Sequence, residues 1–194
     1  VIYWLGHIFW VVTSKLLFPC RVAGLANLPR GGFIFASNHV SNLDPMLIGI
    51  SSRRRLSYMA KDSLFKNNFF RFILYQVGAF PVKRGAADVG AMREALKRLK
   101  NGCPVVVFPE GTRKKSEAQA KAHAGIGFLA LKSGLPVVPV FIKGADKVLP
   151  PGAKFPRRHL IEVEFGAPTT YSEQDPYPAV ADQILQQINA LGSV

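Results

Sequence analysis

Cysteine and acid are scarce in this chain and long apolar runs are missing, and each shortage closes off a class of protein. The two cysteines, Cys20 and Cys103, are too few for a disulfide framework or a zinc module, so no oxidising compartment is implied. The four histidines (His7, His39, His123, His159) fall in no HExxH-like spacing, and no metal centre is expected. No apolar run approaches the roughly 20 residues that cross a bilayer. No G-x-S-x-G elbow occurs, which disfavours a serine hydrolase. Against 25 Lys and Arg stand only 12 Asp and Glu, a formal charge of +13. That balance favours anionic partners: a phosphorylated substrate, an acidic membrane face, an acidic carrier protein or nucleic acid. No helix-turn-helix, zinc-finger or RNP pattern is visible, so nucleic acid is not expected.

What is present is apolar for a chain so charged. Hydrophobic residues make up 48% of the 194, and the mean hydropathy is +0.15. The basic residues are spread among apolar segments, which suits a membrane surface. Residues 1–18 read as a helix rich in bulky side chains, interrupted by His7, Thr13, Ser14 and Lys15 and lacking a small-residue cleavage site. Tyr3, Trp4 and Trp10 are interfacial residues. The expectation is a monotopic anchor in one leaflet, at the cytoplasmic face of a membrane. Residues 19–194 then form one domain.

Along that domain short apolar runs alternate with helical periodicity. Strands are expected at 22–28, 33–36, 56–60, 79–82, 104–108, 136–142 and 161–165, the last an edge strand from its apolar–acidic alternation. Helices are expected at 45–51, 64–77, 88–100 (Val89, Met92, Leu96 and Leu99 sharing a face), 118–133, and at the end, marked by Val180, Ile184, Ile188 and Leu191. Phe65, Phe69, Phe70 and Phe72 are placed either in the core or in lipid. Gly125-Ile126-Gly127-Phe128-Leu129-Ala130 mimics a dinucleotide fingerprint without a preceding strand, so its glycines are read as helix packing. Cys103, just before the 104–108 strand, is read as core. The alternation describes an α/β fold: a single domain with a mostly parallel central sheet flanked by helices.

In such sheets ligands gather at the carboxyl ends of strands. Three polar knots follow strands here. Ser37 to Pro45 carries His39, an imidazole able to move a proton near neutral pH, and Asp44, spaced to bond one ring nitrogen. Asp44 before Pro45 is also a good helix cap, and both roles are open to one carboxylate. The second knot holds Lys83 and Arg84, and the third holds Arg113 behind Glu110, Gly111 and Thr112. Lys61 is a fourth cation after a strand. Guanidinium forks and close backbone approach at glycine suit a phosphate monoester.

Asn38-His39, four residues, then Asp44, together with Phe108-Pro109-Glu110-Gly111-Thr112-Arg113, resembles the glycerolipid acyltransferase family. Two weaker blocks of that family are matched by Ala79 to Gly85 and by Val137-Val138-Pro139-Val140, in the same order over roughly 21–165. The segment Lys121 to Gly125 departs from the Phe-Lys pair and glycine that often follow. The resemblance implies that His39 is the general base and that Asp44 holds its tautomer. It further implies that Lys61, Arg84 and Arg113 hold an acceptor phosphate, with Lys83 and Thr112 beside them and Glu110 and Gly111 shaping the pocket. The implied reaction moves a fatty acyl group from acyl-CoA or acyl carrier protein to 1-acylglycerol-3-phosphate (lysophosphatidic acid), giving phosphatidic acid. Co-substrate thioester and membrane lipids are then the partners, and no cofactor is needed. Glycerol-3-phosphate or another lysophospholipid is an alternative acceptor. A non-catalytic module binding anionic lipid is the rival reading.

Overall fold

The computed structural model describes residues 18–83, 88–109, 124–150, 153 and 155–193. The helix expected over 1–18, apart from Phe18, lies outside these, as do Arg84 and the segment 110–123. In chain order the described elements are β1 (Cys20–Ala23), β2 (Ile34–Ser37), α1 (Asp44–Ser52), β3 (Ser57–Lys61), α2 (Asn68–Gln76), β4 (Ala79–Val82), α3 (Val89–Lys100) and β5 (Val105–Val107). They continue with α4 (Ala124–Ser133), β6 (Val137–Lys143), α5 (Ala145–Val148), β7 (Ile161–Phe165) and α6 (Tyr177–Leu191).

The described strands make one sheet in the order β1-β7-β6-β2-β5-β3-β4. From β6 to β4 the five neighbours run parallel. Strand β7 runs against β6, and β1 lies parallel to β7. Pro81, which has no N–H to give, sits in β4 at the sheet's edge, where the missing donor costs no ladder bond.

The centre of the sheet is buried on both faces, which is why its strands read as unbroken apolar runs. Phe33 and Phe35 point into one core with Leu47 and Ile48 of α1. Ile34 and Ala36, one residue out of phase, point into the other with Leu99 of α3 and Leu129 of α4. The crossovers through α1 and α2 step toward β4, and those through α3 and α4 step back. Right-handed connections therefore put the two pairs of helices on opposite faces. Arg98 ties α3 to the β3–β4 end, donating to the Gly78 carbonyl at 2.6 Å and to Ser57 Oγ at 3.2 Å, with its guanidinium 4.6 Å from the centre of the Phe80 ring.

Several expectations are corrected. The first strand stops at Ala23, because Gly24 turns left-handed (φ 74°) into the short 3-10 turn Leu25–Asn27. Strand β7 is not an edge: it sits between β1 and β6. Its alternation reports one face packed on the core and one half-open to solvent, where Arg21 and Glu162 face each other across the pair. In α3 the buried residues are Ala91, Ala95 and Leu99, while Val89 is exposed. Of the four phenylalanines between 65 and 72, only Phe65 is buried. Cys103 is partly buried, with its sulfur 3.3 Å from Ser57 Oγ. Phe18 is buried within the first core.

Candidate active site

Strands β2, β5, β3 and β4 are parallel neighbours, so their carboxyl ends open on one edge of the sheet. The chain leaves β2 at Ser37, and Asn38 extends the β2–β6 ladder with its side chain. Its amide Nδ2 donates to the Ile142 carbonyl at 2.8 Å, and its Oδ1 accepts the Ile142 N–H at 2.8 Å. A side-chain amide carries the same donor and acceptor as a backbone unit, so it can take the place of one more ladder residue. The residue that follows is therefore projected from a fixed base.

That residue is His39. Its Nδ1 lies 2.7 Å from Asp44 Oδ2, which also accepts the N–H groups of Val40 and Ser41 at 2.7 Å each. An oxygen already taking two backbone donors serves as acceptor to the third, so Nδ1 carries the hydrogen and Nε2 presents its lone pair. Asp44 is fully buried, and among the described residues its Oδ1 has no hydrogen-bond partner. The expected cap role is corrected here. Asp44 is the first residue of α1, Leu43 holds the cap position, and the carboxylate turns back into the loop instead. Pro45 is therefore the second helical residue instead of the first, still within the opening turn where its missing N–H costs no helix bond.

Phe108, just past β5, lies against the imidazole with ring centroids 4.1 Å apart and planes 23° from parallel. The stack covers one face of His39, and the carboxylate fixes one edge. The side chain keeps 11% of its surface exposed, which leaves a narrow approach. A base of this kind, held by one nitrogen and without a hydrogen-bond partner on the other among the described residues, is equipped to take a proton from a substrate hydroxyl.

Lys61 ends β3 and is exposed at the same edge of the sheet. Lys83 follows β4, and its backbone N–H donates to Asp88 Oδ2 at 2.8 Å. Asp88 also caps α3, accepting the Ala91 N–H at 3.0 Å, so one carboxylate closes the loop between β4 and α3. These backbone donors, the one from Lys83 foremost, hold its pKa below the usual carboxylate range. A cavity of about 440 Å³ opens beside this loop, lined by Phe80, Pro81, Lys83, Asp62, Asp88 and Glu94 among others. Among the described residues its lining offers three carboxylates against one ammonium. The cavity lies three strand spacings, about 14 Å, from β2.

The structure thus brings His39 and Asp44 together and puts Lys61 and Lys83 at the ends of neighbouring strands. Arg84, Glu110, Gly111, Thr112 and Arg113 lie outside the described residues. Sequence reasoning assigned no role to Asn38, Phe108 or Asp88. The first two belong to the quoted motifs but were given no part in the chemistry, and Asp88 was legible as a helix start. Among the described residues no three His, Cys, Asp or Glu side chains are grouped to hold a metal ion, and no helix is long and apolar enough to cross a membrane.

Comparisons with known proteins bear on the family of the whole domain. Residues 19–143 match the family model described as Acyltransferase. A chloroplastic 1-acyl-sn-glycerol-3-phosphate acyltransferase of Brassica napus is 30% identical over 137 residues, which are 69% of this chain and 40% of that protein. A 1-acyl-sn-glycerol-3-phosphate acyltransferase of Bacillus subtilis is 32% identical over 126 residues, 64% of this chain and 62% of that one. The chain therefore spans about two fifths of the plant relative's length. The crystal structure of a 1-acyl-sn-glycerophosphate acyltransferase from Thermotoga maritima superposes with a TM-score of 0.76 at 25% identity, covering all of this chain and 80% of that one.

Proposed function

Because this chain belongs to the acyltransferase family, we propose that it moves a fatty acyl group from a thioester, acyl-CoA or acyl carrier protein, to the free hydroxyl of 1-acylglycerol-3-phosphate. The observation that carries this reading is the 2.7 Å contact between His39 Nδ1 and the buried Asp44 carboxylate. His39 Nε2 takes the proton of the acceptor hydroxyl as its oxygen attacks the thioester carbonyl carbon. The C–S bond then breaks, the sulfur leaves as a thiol with that proton, and the new ester is phosphatidic acid. Asp44 holds the tautomer and favours the imidazolium formed on the way. No acyl-enzyme and no resident cofactor are required.

Lys61, Arg84 and Arg113 hold the acceptor's phosphate and Glu110 and Gly111 shape its pocket, with Lys83 and Thr112 beside them. The apolar segment 1–18, apart from Phe18 in the domain core, holds the enzyme on the cytoplasmic face of a membrane as a monotopic anchor, within reach of lipid acceptors.

The test is release of free thiol from acyl-CoA or acyl carrier protein, measured across a panel of acceptors. Release that depends on 1-acylglycerol-3-phosphate and disappears in His39→Ala supports the proposal. Preference for glycerol-3-phosphate or another lysolipid would overturn the acceptor. Lipid binding without any thiol release would overturn the enzyme reading altogether.

A further inference from the structure

Helix α2 carries an apolar surface that the domain does not cover. It is nine residues long, Asn68–Gln76, and none of them is buried. Phe69, Phe72 and Ile73 recur at the i, i+3, i+4 spacing of one helix face, and all three are exposed. Phe69 is 68% exposed, Phe70 58% and Phe72 55%. More than half of the large apolar side chains exposed among the described residues fall between residues 64 and 77. So short a helix does not persist in water on its own propensity. It is held at its start by Asn67, whose Oδ1 accepts the Phe69 and Phe70 N–H groups, and at its end by Tyr75 against the buried Phe65 ring.

The charge around this face narrows what covers it. Residues 63–83 contain no Asp or Glu, whereas Lys66 and Arg71 lie within the stretch; just before it come Lys61 and a single acid, Asp62, all four exposed. Exposed aromatic rings flanked by cations, with one acid at their margin, match an interface of acyl chains beneath anionic headgroups. Its placement agrees. The turn leading into α2 leaves β3 at the same sheet edge as His39, two strand spacings or about 10 Å away. From these observations we infer that α2 docks the catalytic domain onto an anionic phospholipid surface, its Phe69–Phe72–Ile73 face entering the headgroup boundary and Lys61, Lys66 and Arg71 meeting lipid phosphates. This contact is separate from the segment 1–18, and it sets the mouth of the His39 site against the layer that holds a lipid acceptor. That last consequence rests on the acyl-transfer reading; the docking itself does not.

The experiment uses the whole chain with Trp4 and Trp10 replaced by Phe and one new reporter, Phe69→Trp. It is mixed with phosphatidylcholine vesicles, with and without phosphatidylglycerol, whose acyl chains are brominated. Docking predicts that the reporter is wet in solution and quenched on phosphatidylglycerol vesicles. A Tyr177→Trp reporter, at the start of α6 among the helices of the opposite face, stays unquenched. The pair Phe69→Ser and Phe72→Ser should lower the vesicle partition coefficient by at least tenfold with an unchanged melting curve, since both rings are exposed. Three results would each overturn the inference: an unquenched reporter at position 69, a reporter already shielded before vesicles are added (covered by residues 1–17, a second copy or a protein partner), or native partition in the double variant. Acceptor-dependent thiol release is also measured on the same reporter chain, with His39 intact. An inactive protein that still quenches would sink the acyl-transfer reading alone, and an active one that does not quench would sink this inference alone.

Discussion

At the scale of single residues the site depends on who holds the histidine. Asp44 Oδ2 gathers three donors, two of them backbone N–H groups of the loop that carries His39, so the carboxylate shapes the loop as well as orienting the ring. Asn38 anchors the other end of that loop through two bonds to Ile142. Asn38→Ala leaves the N–H and C=O of a buried strand residue without partners, at about 1–3 kcal/mol each. Chemical denaturation should show a loss of about 3 kcal/mol. Asn38→Asp keeps an acceptor for the Ile142 N–H but sets a buried carboxylate oxygen against the Ile142 carbonyl, and should lose at least as much. A smaller loss would mean that the bond to the carbonyl contributes little.

At the scale of elements, two junctions are tight enough to test. Gly127 brings α4 against the first residue of α6 so closely that a Cβ there would meet the Tyr177 carbonyl oxygen at 2.0 Å. Gly127→Ala must push the two helices apart and should cost about 2 kcal/mol, read as a fall in melting temperature. The reading of this glycine as a packing residue rather than part of a nucleotide loop stands or falls with that result. Asp88 joins the β4 exit to the α3 start, and Asp88→Ala should cost about 1 kcal/mol, as for other helix caps. Because its folded pKa lies below the unfolded value, its stabilisation is present above the unfolded pKa and disappears as pH falls through the folded one. Stability measured on acidification below about pH 4 should therefore decline less steeply in Asp88→Ala than in the native chain.

At the scale of the molecule, the α/β class and the parallel block were readable because a strand buried on both faces has one signature, an unbroken β-branched run such as Val105-Val106-Val107. Strand order was not readable in the same way. The alternation in β7 records which face is wet, and a wet face occurs at the interior of a sheet as readily as at its edge. Val89 was misplaced because the small residues Ala91 and Ala95 line the packed face of α3, and small side chains add little to an apolar periodicity. Spacing suggested the His39–Asp44 pair while leaving a cap role for Asp44 open beside it, whereas the clamp from Asn38 to Ile142 joins residues far apart in the chain and no local pattern signals it. The central claim is that His39 and Asp44 act as one proton-accepting unit. Its most direct test is acceptor-dependent thiol release by His39→Ala, Asp44→Asn and the double variant, with KM for the acceptor measured alongside. The account predicts a fall in kcat of roughly 10²–10⁴ for His39→Ala with little change in KM, and a double variant no worse than His39→Ala by itself. Additive losses, or a His39→Ala protein that turns over at the native rate, would contradict it.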